Sequence, residues 1–137
     1  MWASGNRYEG ESVDGNLHGR GALMFANGDR YEGEFEDDKA HGRGVYAFAN
    51  GDRYEGEFKD GERHGRGIAM LANGANYEGE WKYSARHGHG VFSAANGDRC
   101  EGDWHEGEML STGEGWSNDK DLAMECYLDG STIRFAE

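Results

Sequence analysis

The chain has 137 residues, 24 of them glycine and none proline, and its 27 acidic and 14 basic side chains give a net charge of -13. A field of that sign repels phosphate backbones and anionic headgroups, which weighs against nucleic acid and membrane lipid as partners and favours basic ones. No stretch approaches the ~18 apolar residues of a membrane-spanning helix, and two cysteines, Cys100 and Cys126, are too few for a disulfide framework, although one bridge is compatible with the count.

Taken in chain order, residues 1–7 align with the end of a unit found further on. Trp2-Ala-Ser-Gly-Asn-Arg7 matches Phe25-Ala-Asn-Gly-Asp-Arg30, so this segment is expected to be a half-repeat N-terminal cap or the point where a longer array was cut. It lacks the basic and apolar regions of a signal peptide, which makes cytoplasmic placement with reduced thiols the expectation, with cytoskeleton or membrane reached only through partners. Tyr8, Tyr31, Tyr54, Tyr77 and Cys100 then start five units at intervals of 23 residues, each followed by Glu-Gly. Four residues later stands Ser12, Phe35, Phe58, Trp81 or Trp104; His-Gly-x-Gly follows in the first four units, and Asn-Gly closes each of these. Self-similarity at a fixed period is the signature of a repeat architecture, and glycines placed this regularly argue against low complexity.

Each unit is predicted to be two short strands. Arg53-Tyr-Glu-Gly-Glu-Phe58 alternates polar and apolar residues with period two, and Gly44-Val-Tyr-Ala-Phe48 is rich in β-formers. Between them, Lys59-Asp-Gly-Glu-Arg-His64 is assigned to a polar loop, while Asn-Gly between units supplies the positive φ angles of a tight hairpin. Tyr54, Gly56 and Phe58 share one face, and Arg53, Glu55 and Glu57 the other. If the corner between units takes three loop residues, Gly67, Ala69 and Leu71 join the tyrosine face, as do Phe25, Tyr46, Phe48 and Phe92; with two, Ile68 and Met70 would. Three is preferred because it gathers the aromatic residues and sends Arg20, Arg43 and Arg66 to pair with glutamates opposite. The fifth unit is displaced by two extra residues before Thr112-Gly113, and residues 116–137 are expected to form an atypical capping hairpin. The fold class is thus all-β: residues 1–137 as one elongated, twisted antiparallel sheet of tandem 23-residue β-hairpins.

The stretch Tyr54-Glu-Gly-Glu-Phe-Lys-Asp-Gly-Glu-Arg-His-Gly-Arg-Gly67 resembles the MORN repeat (membrane occupation and recognition nexus) over its whole length, and the resemblance extends over about residues 2–116. It implies an array of twisted hairpins with an aromatic groove, used as a protein-binding scaffold. Relatives of that family are also attached to lipid kinases, a histone methyltransferase and membrane-junction proteins. Ser12, Asp38, Ser84, Cys100 and the fifth unit depart from its pattern.

Chemistry finds little purchase. The same strand position recurs about every 10 Å, too far for His18, His41, His64 and His87 to share a zinc with ~2 Å bonds, which leaves His87 with His89 as the one conceivable chelating pair. Glu36-Asp37-Asp38 lacks the spacing of a calcium loop. Glu32, Glu55 and Glu78 recur in equivalent settings, whereas a catalytic pair needs unlike ones. No catalytic residue, metal site or cofactor is expected. The aromatic stripe carries the functional expectation, because a single sheet leaves one apolar face uncovered. The function expected is a non-enzymatic scaffold or adaptor binding a protein segment, helical or extended and basic or amphipathic, through Tyr31, Phe35, Phe48, Tyr54, Phe58, Leu71, Tyr77 and Trp81. The alternatives are a phospholipid-associated module and a regulatory or targeting fragment of a larger enzyme. A homodimer covering an array end or the groove is a further option.

Overall fold

The computed structural model describes residues 5–110, 112–117, 124–129 and 132–135. The alignment of Trp2 and the expected cap residues Leu122, Ala123, Gly130 and Ser131 therefore lie outside the described residues. Five hairpins follow one another: β1 (Arg7–Val13) with β2 (Asn16–Met24), β3 (Arg30–Glu36) with β4 (Lys39–Ala47), β5 (Arg53–Lys59) with β6 (Glu62–Met70), β7 (Asn76–Lys82) with β8 (Ala85–Ser93), and β9 (Arg99–His105) with the two-residue β10 (Glu108–Met109). Then come β11 (Gly113–Trp116), β12 (Met124–Asp129) and β13 (Thr132–Phe135). Among the described residues all of these join one open antiparallel sheet in sequence order, with β10 pairing β9 beside the main path, and none is helical.

The two kinds of turn are distributed differently from the sequence expectation. Positive φ at two consecutive residues, the mark of a type I′ turn, occurs inside each unit: at Asp14-Gly15, Asp37-Asp38, Asp60-Gly61, Tyr83-Ser84 and Glu106-Gly107. At the Asn-Gly corners only the glycine is left-handed. There Leu71 N–H donates to Ala75 O and Gly74 N–H to Leu71 O, closing a three-residue loop, and Asn50 and Asn96 accept the N–H of the aspartate two residues on. The supposed loop 59–64 is thereby reduced to Asp60-Gly61, and the second strands are nine residues long, beginning before the His-Gly pair.

The three-residue corner puts Ala69 opposite both Tyr54 and Tyr77, with Ile68 opposite Glu55 and Glu78, so the preferred face assignment holds. Tyr46 faces Tyr31 and Tyr54, and Phe92 faces Tyr77, on the same side. A bulge interrupts each of the first four hairpins: Gly33 pairs Gly44 and Phe35 pairs Ala40, leaving three residues of β4 opposite Glu34. The backbone N–H that the bulge withdraws from the ladder is recovered by a side chain, since Glu34, Glu57 and Glu80 accept from Arg43, Arg66 and His89 N–H.

The fifth unit is not displaced as expected. Cys100 faces Gly115 with the same offset along the chain by which Tyr54 faces Ala69, so Gly113 occupies the place of Gly67. The slip comes one turn later: Gly113 faces Cys126 where the repeat would put residue 125, which assigns one extra residue to the segment between β11 and β12. The expectation of reduced thiols also fails, because Cys100 and Cys126 form a disulfide. Its cysteines lie on β9 and β12, to either side of β11, where Gly115 leaves room; a Cβ on Gly115 would lie 2.7 Å from Cys126 Sγ. β12 and β13 pair antiparallel and extend the sheet, with β13 as its outer strand.

Candidate functional site: the tyrosine face

The core is a row of interlocked rings along one face of the sheet. Tyr31 stands edge-on between Phe35 and Phe58 (centroids 4.9 and 5.0 Å), Tyr54 between Phe58 and Trp81 (5.0 and 5.3 Å), and Tyr77 between Trp81 and Trp104 (5.2 Å each). Each tyrosine hydroxyl donates to the carbonyl three residues on: Tyr31 to Glu34, Tyr54 to Glu57, Tyr77 to Glu80. The ring lies over a glycine of the neighbouring strand, so that a Cβ built on Gly67 would fall on the ring of Tyr54. Burial pushes the Tyr54 and Tyr77 phenols up to about 12, with nearby Arg63 and Arg86 pulling the other way, and raises Tyr31 as well. These contacts make the tyrosines the mortar between consecutive hairpins.

Of the eight residues expected to line a groove, six are therefore core: Tyr31, Phe35, Tyr54, Phe58, Tyr77 and Trp81 are each 7 % exposed or less. Phe48 and Leu71 are half-buried and keep surface to offer. They belong to a band beside the ring row, built from the ends of the second strands, with Phe25 against Tyr46 (5.8 Å) and Tyr46 against Phe48 (4.5 Å). The corner aspartates brace this band. Asp29 accepts from the Tyr46 hydroxyl (2.7 Å) and from Ala49 N–H in the next unit (2.7 Å), which together hold its carboxyl below the usual range.

Towards the C-terminal end the tyrosine face opens into two adjoining clefts. One, of about 360 Å³, is lined by Arg63, Leu71, Trp81, Arg86 and Phe92; the other, of about 490 Å³, by Arg86, Trp104, Met109, Tyr127 and Leu128. Arg63 and Arg86 were not among the expected site residues. Placing Arg63 in a loop hid it; with a two-residue turn it lies in β6 opposite Phe58, on the tyrosine face, as Arg86 in β8 lies opposite Trp81. The available signal was the 23-residue register itself, in which Leu17, Ala40, Arg63, Arg86 and Met109 are equivalent.

The opposite face carries the charge. Arg30 pairs Glu32 (2.8 Å) and Arg53 pairs Glu55 (3.7 Å) along the same strand. Arg20, Arg43 and Arg66 lie on this face as expected, but the glutamates across from them, Glu34, Glu57 and Glu80, bond backbone N–H groups instead. The histidines considered as a chelating pair go separate ways: His89 bonds Glu101 (2.6 Å), and the His87 ring lies tilted against that of His105 (5.1 Å). His41 lies near Glu36 and Asp60. The Glu101 hydrogen bond chiefly, with Asp103 behind it, raises the His89 imidazole above its ordinary range.

The profile of the MORN repeat matches the chain four times, over residues 8–30, 31–53, 54–75 and 77–99. No curated protein sequence matches the chain at a significant level. Repeats of this kind serve generally as protein- or membrane-interaction modules. Four matches in register span most of the chain, and the unit they define is the tyrosine-mortared hairpin described above: the chain belongs to the MORN repeat family.

Proposed function

We propose that this protein is a non-enzymatic scaffold that binds a segment of another protein along its tyrosine face. The binding surface is the half-buried band beside the ring row, with the two clefts at its C-terminal end. The observation that carries this reading is the cleft lined by Leu71, Trp81 and Phe92, where the half-buried Leu71 offers apolar surface above buried rings on a protein that is otherwise strongly acidic. Rings fixed by their neighbours lose little conformational entropy on binding, which suits them as anchors. The repeated carboxylates support a non-catalytic reading, since Glu34, Glu57 and Glu80 repeat one backbone-capping contact, and Glu32 and Glu55 each pair an arginine.

A random dodecapeptide library displayed on phage and panned on the full chain tests the reading. Peptides selected on the wild type should lose at least about tenfold in affinity for Leu71→Glu and for Phe48→Glu, each folded as judged by melting, and retain it for Glu55→Lys on the other face. Peptides that lose affinity only with Glu55→Lys would move the site to the charged face. Self-association that disappears in Leu71→Glu, read by light scattering, would make the occupant a second copy of the chain and sink the foreign-partner reading.

A further inference from the structure

We propose that the segment bound on this face presents carboxylate side chains to Arg63 and Arg86. This rests on the docking face proposed above and adds the chemistry of its occupant. The fold does not demand these two cations, because Leu17, Ala40 and Met109 fill the equivalent places in the other hairpins. Both guanidinium groups lie over rings: Arg63 is 4.7 Å from the Trp81 centroid and 5.7 Å from that of Tyr54, and Arg86 is 4.5 Å from Trp104 and 5.6 Å from Tyr77. One nitrogen of each is anchored, Arg63 Nη2 donating to Ser84 O and Arg86 Nη2 to Gly107 O, both at 2.9 Å. A guanidinium has five N–H donors, so each keeps others for a ligand, already positioned by the ring contact and by that bond.

Charge balance supplies the sign of the ligand. Among the described residues no carboxylate forms an ion pair with either arginine, although 27 acidic side chains are present in the chain. Glu108 borders the larger cleft without pairing Arg86. Both guanidinium groups are pushed down by burial, and the Arg63 charge adds to the effect on Arg86, so two like charges face one cleft, partly stripped of water. Such a pair is costly when empty and favourable when anions pair with it. The net charge of -13 points to a basic partner, but exposed charges further than about 8 Å are screened at physiological ionic strength. The cleft therefore answers to its own two cations. Positions two strands apart are separated by about 10 Å, the span of three residues of an extended chain, so carboxylates at that spacing could meet one arginine each. Leu71 and Phe92 beside them ask for apolar neighbours in the same segment. Lipid and nucleic acid phosphates share the chemistry, but a whole surface or polymer of negative charge meets the field of the entire acidic chain, whereas one carboxylate on a peptide does not.

The phage selection described above decides the matter. The expected peptides combine Asp or Glu with aliphatic or aromatic residues. Replacing the acidic residue of a synthetic representative by Gln should weaken its binding to wild type about tenfold or more, in fluorescence anisotropy, and change little against Arg63→Gln/Arg86→Gln. Arg63→Lys, which keeps the charge and loses the planar fork, should retain part of the affinity and covers the case in which the double variant does not fold. Selected peptides without acidic enrichment, or a Glu-to-Gln penalty on the peptide that the arginine variants leave intact, would overturn the carboxylate clamp. If those peptides still lose affinity for Leu71→Glu, the docking face survives and only the clamp falls; if they are indifferent to both, neither stands. Vesicles containing phosphatidylserine or phosphoinositides, retained by wild type and released by the double variant, would reassign the arginines to lipid phosphate and overturn the peptide ligand.

Discussion

The third unit and the fifth solve the same problem with different chemistry. In the third, Tyr54 fills the gap between hairpins with a ring that is 0 % exposed, seats it over Gly67 and ties its hydroxyl to Glu57. In the fifth, Cys100 holds that place, and a covalent bond to Cys126 replaces the ring. The comparison teaches that the tyrosine position is a fastening point before it is anything else. A non-covalent fastener works where a further repeat supplies the second ring; β12 supplies a sulfur instead.

The largest expected effect separates the middle of the array from its start. Tyr54→Ala should cost about 3–5 kcal/mol in denaturant unfolding, the range for deleting a buried aromatic. Tyr8, which has Ser12 where other units place a ring and among the described residues has Phe35 as its one ring neighbour, at 5.3 Å, should cost less than half as much when made alanine. Equal costs would show that the second ring adds nothing. Next comes the disulfide. Its cysteines are 26 residues apart, and closing a loop of that length is worth about 3 kcal/mol, so Cys100→Ser/Cys126→Ser should lose on that order. Contacts run mainly between adjacent strands, so hydrogen exchange should speed up in β11–β13 and stay slow in β3–β8. Uniform acceleration would mean that the array unfolds as one unit.

Smaller effects belong to the turns and to one histidine. Tyr83 is 67 % exposed and sits at φ 50° in the first central position of a type I′ turn, where Asp60 stands in the third unit. Tyr83→Asn should stabilise by about 0.5–1 kcal/mol in thermal unfolding, because Asn tolerates the left-handed region better than an aromatic residue; a loss would show that the Tyr83–His64 ring contact at 5.7 Å outweighs the backbone. His89 stands where earlier units carry Arg43 and Arg66, and Glu101 raises it above its ordinary value of 6.5. A group with a raised folded pKa contributes stability that is fully present below its unfolded value and fades as pH climbs through the folded one. A modest loss of stability is therefore expected as pH rises past 6.5, absent in His89→Gln, and in NMR the His89 midpoint should fall in Glu101→Gln. A His89 midpoint unmoved by that substitution would contradict the Glu101 hydrogen bond as the cause.

The amino-acid sequence by itself determined the period, the hairpin as the repeating unit, the sharing of one face by Tyr54, Gly56 and Phe58, and the glycines opposite the rings. These follow from local alternation and from copies kept in register, and both are visible in one dimension. Phase across a turn is not local in this sense, since a change of one residue carries every following side chain to the other face. The three-residue corner could still be inferred because it alone gathers the aromatic residues. The two-residue turn at Asp60-Gly61 had no such arbiter, and with it went the placement of Arg63. Only tertiary structure decided that Tyr54 is mortar and Leu71 is surface, because burial depends on how closely neighbouring strands bring their rings. The Cys100–Cys126 bond was undecidable for the same reason: it depends on the single-residue slip before β12 and on Gly115 of β11, whose missing side chain lets one sulfur reach the other.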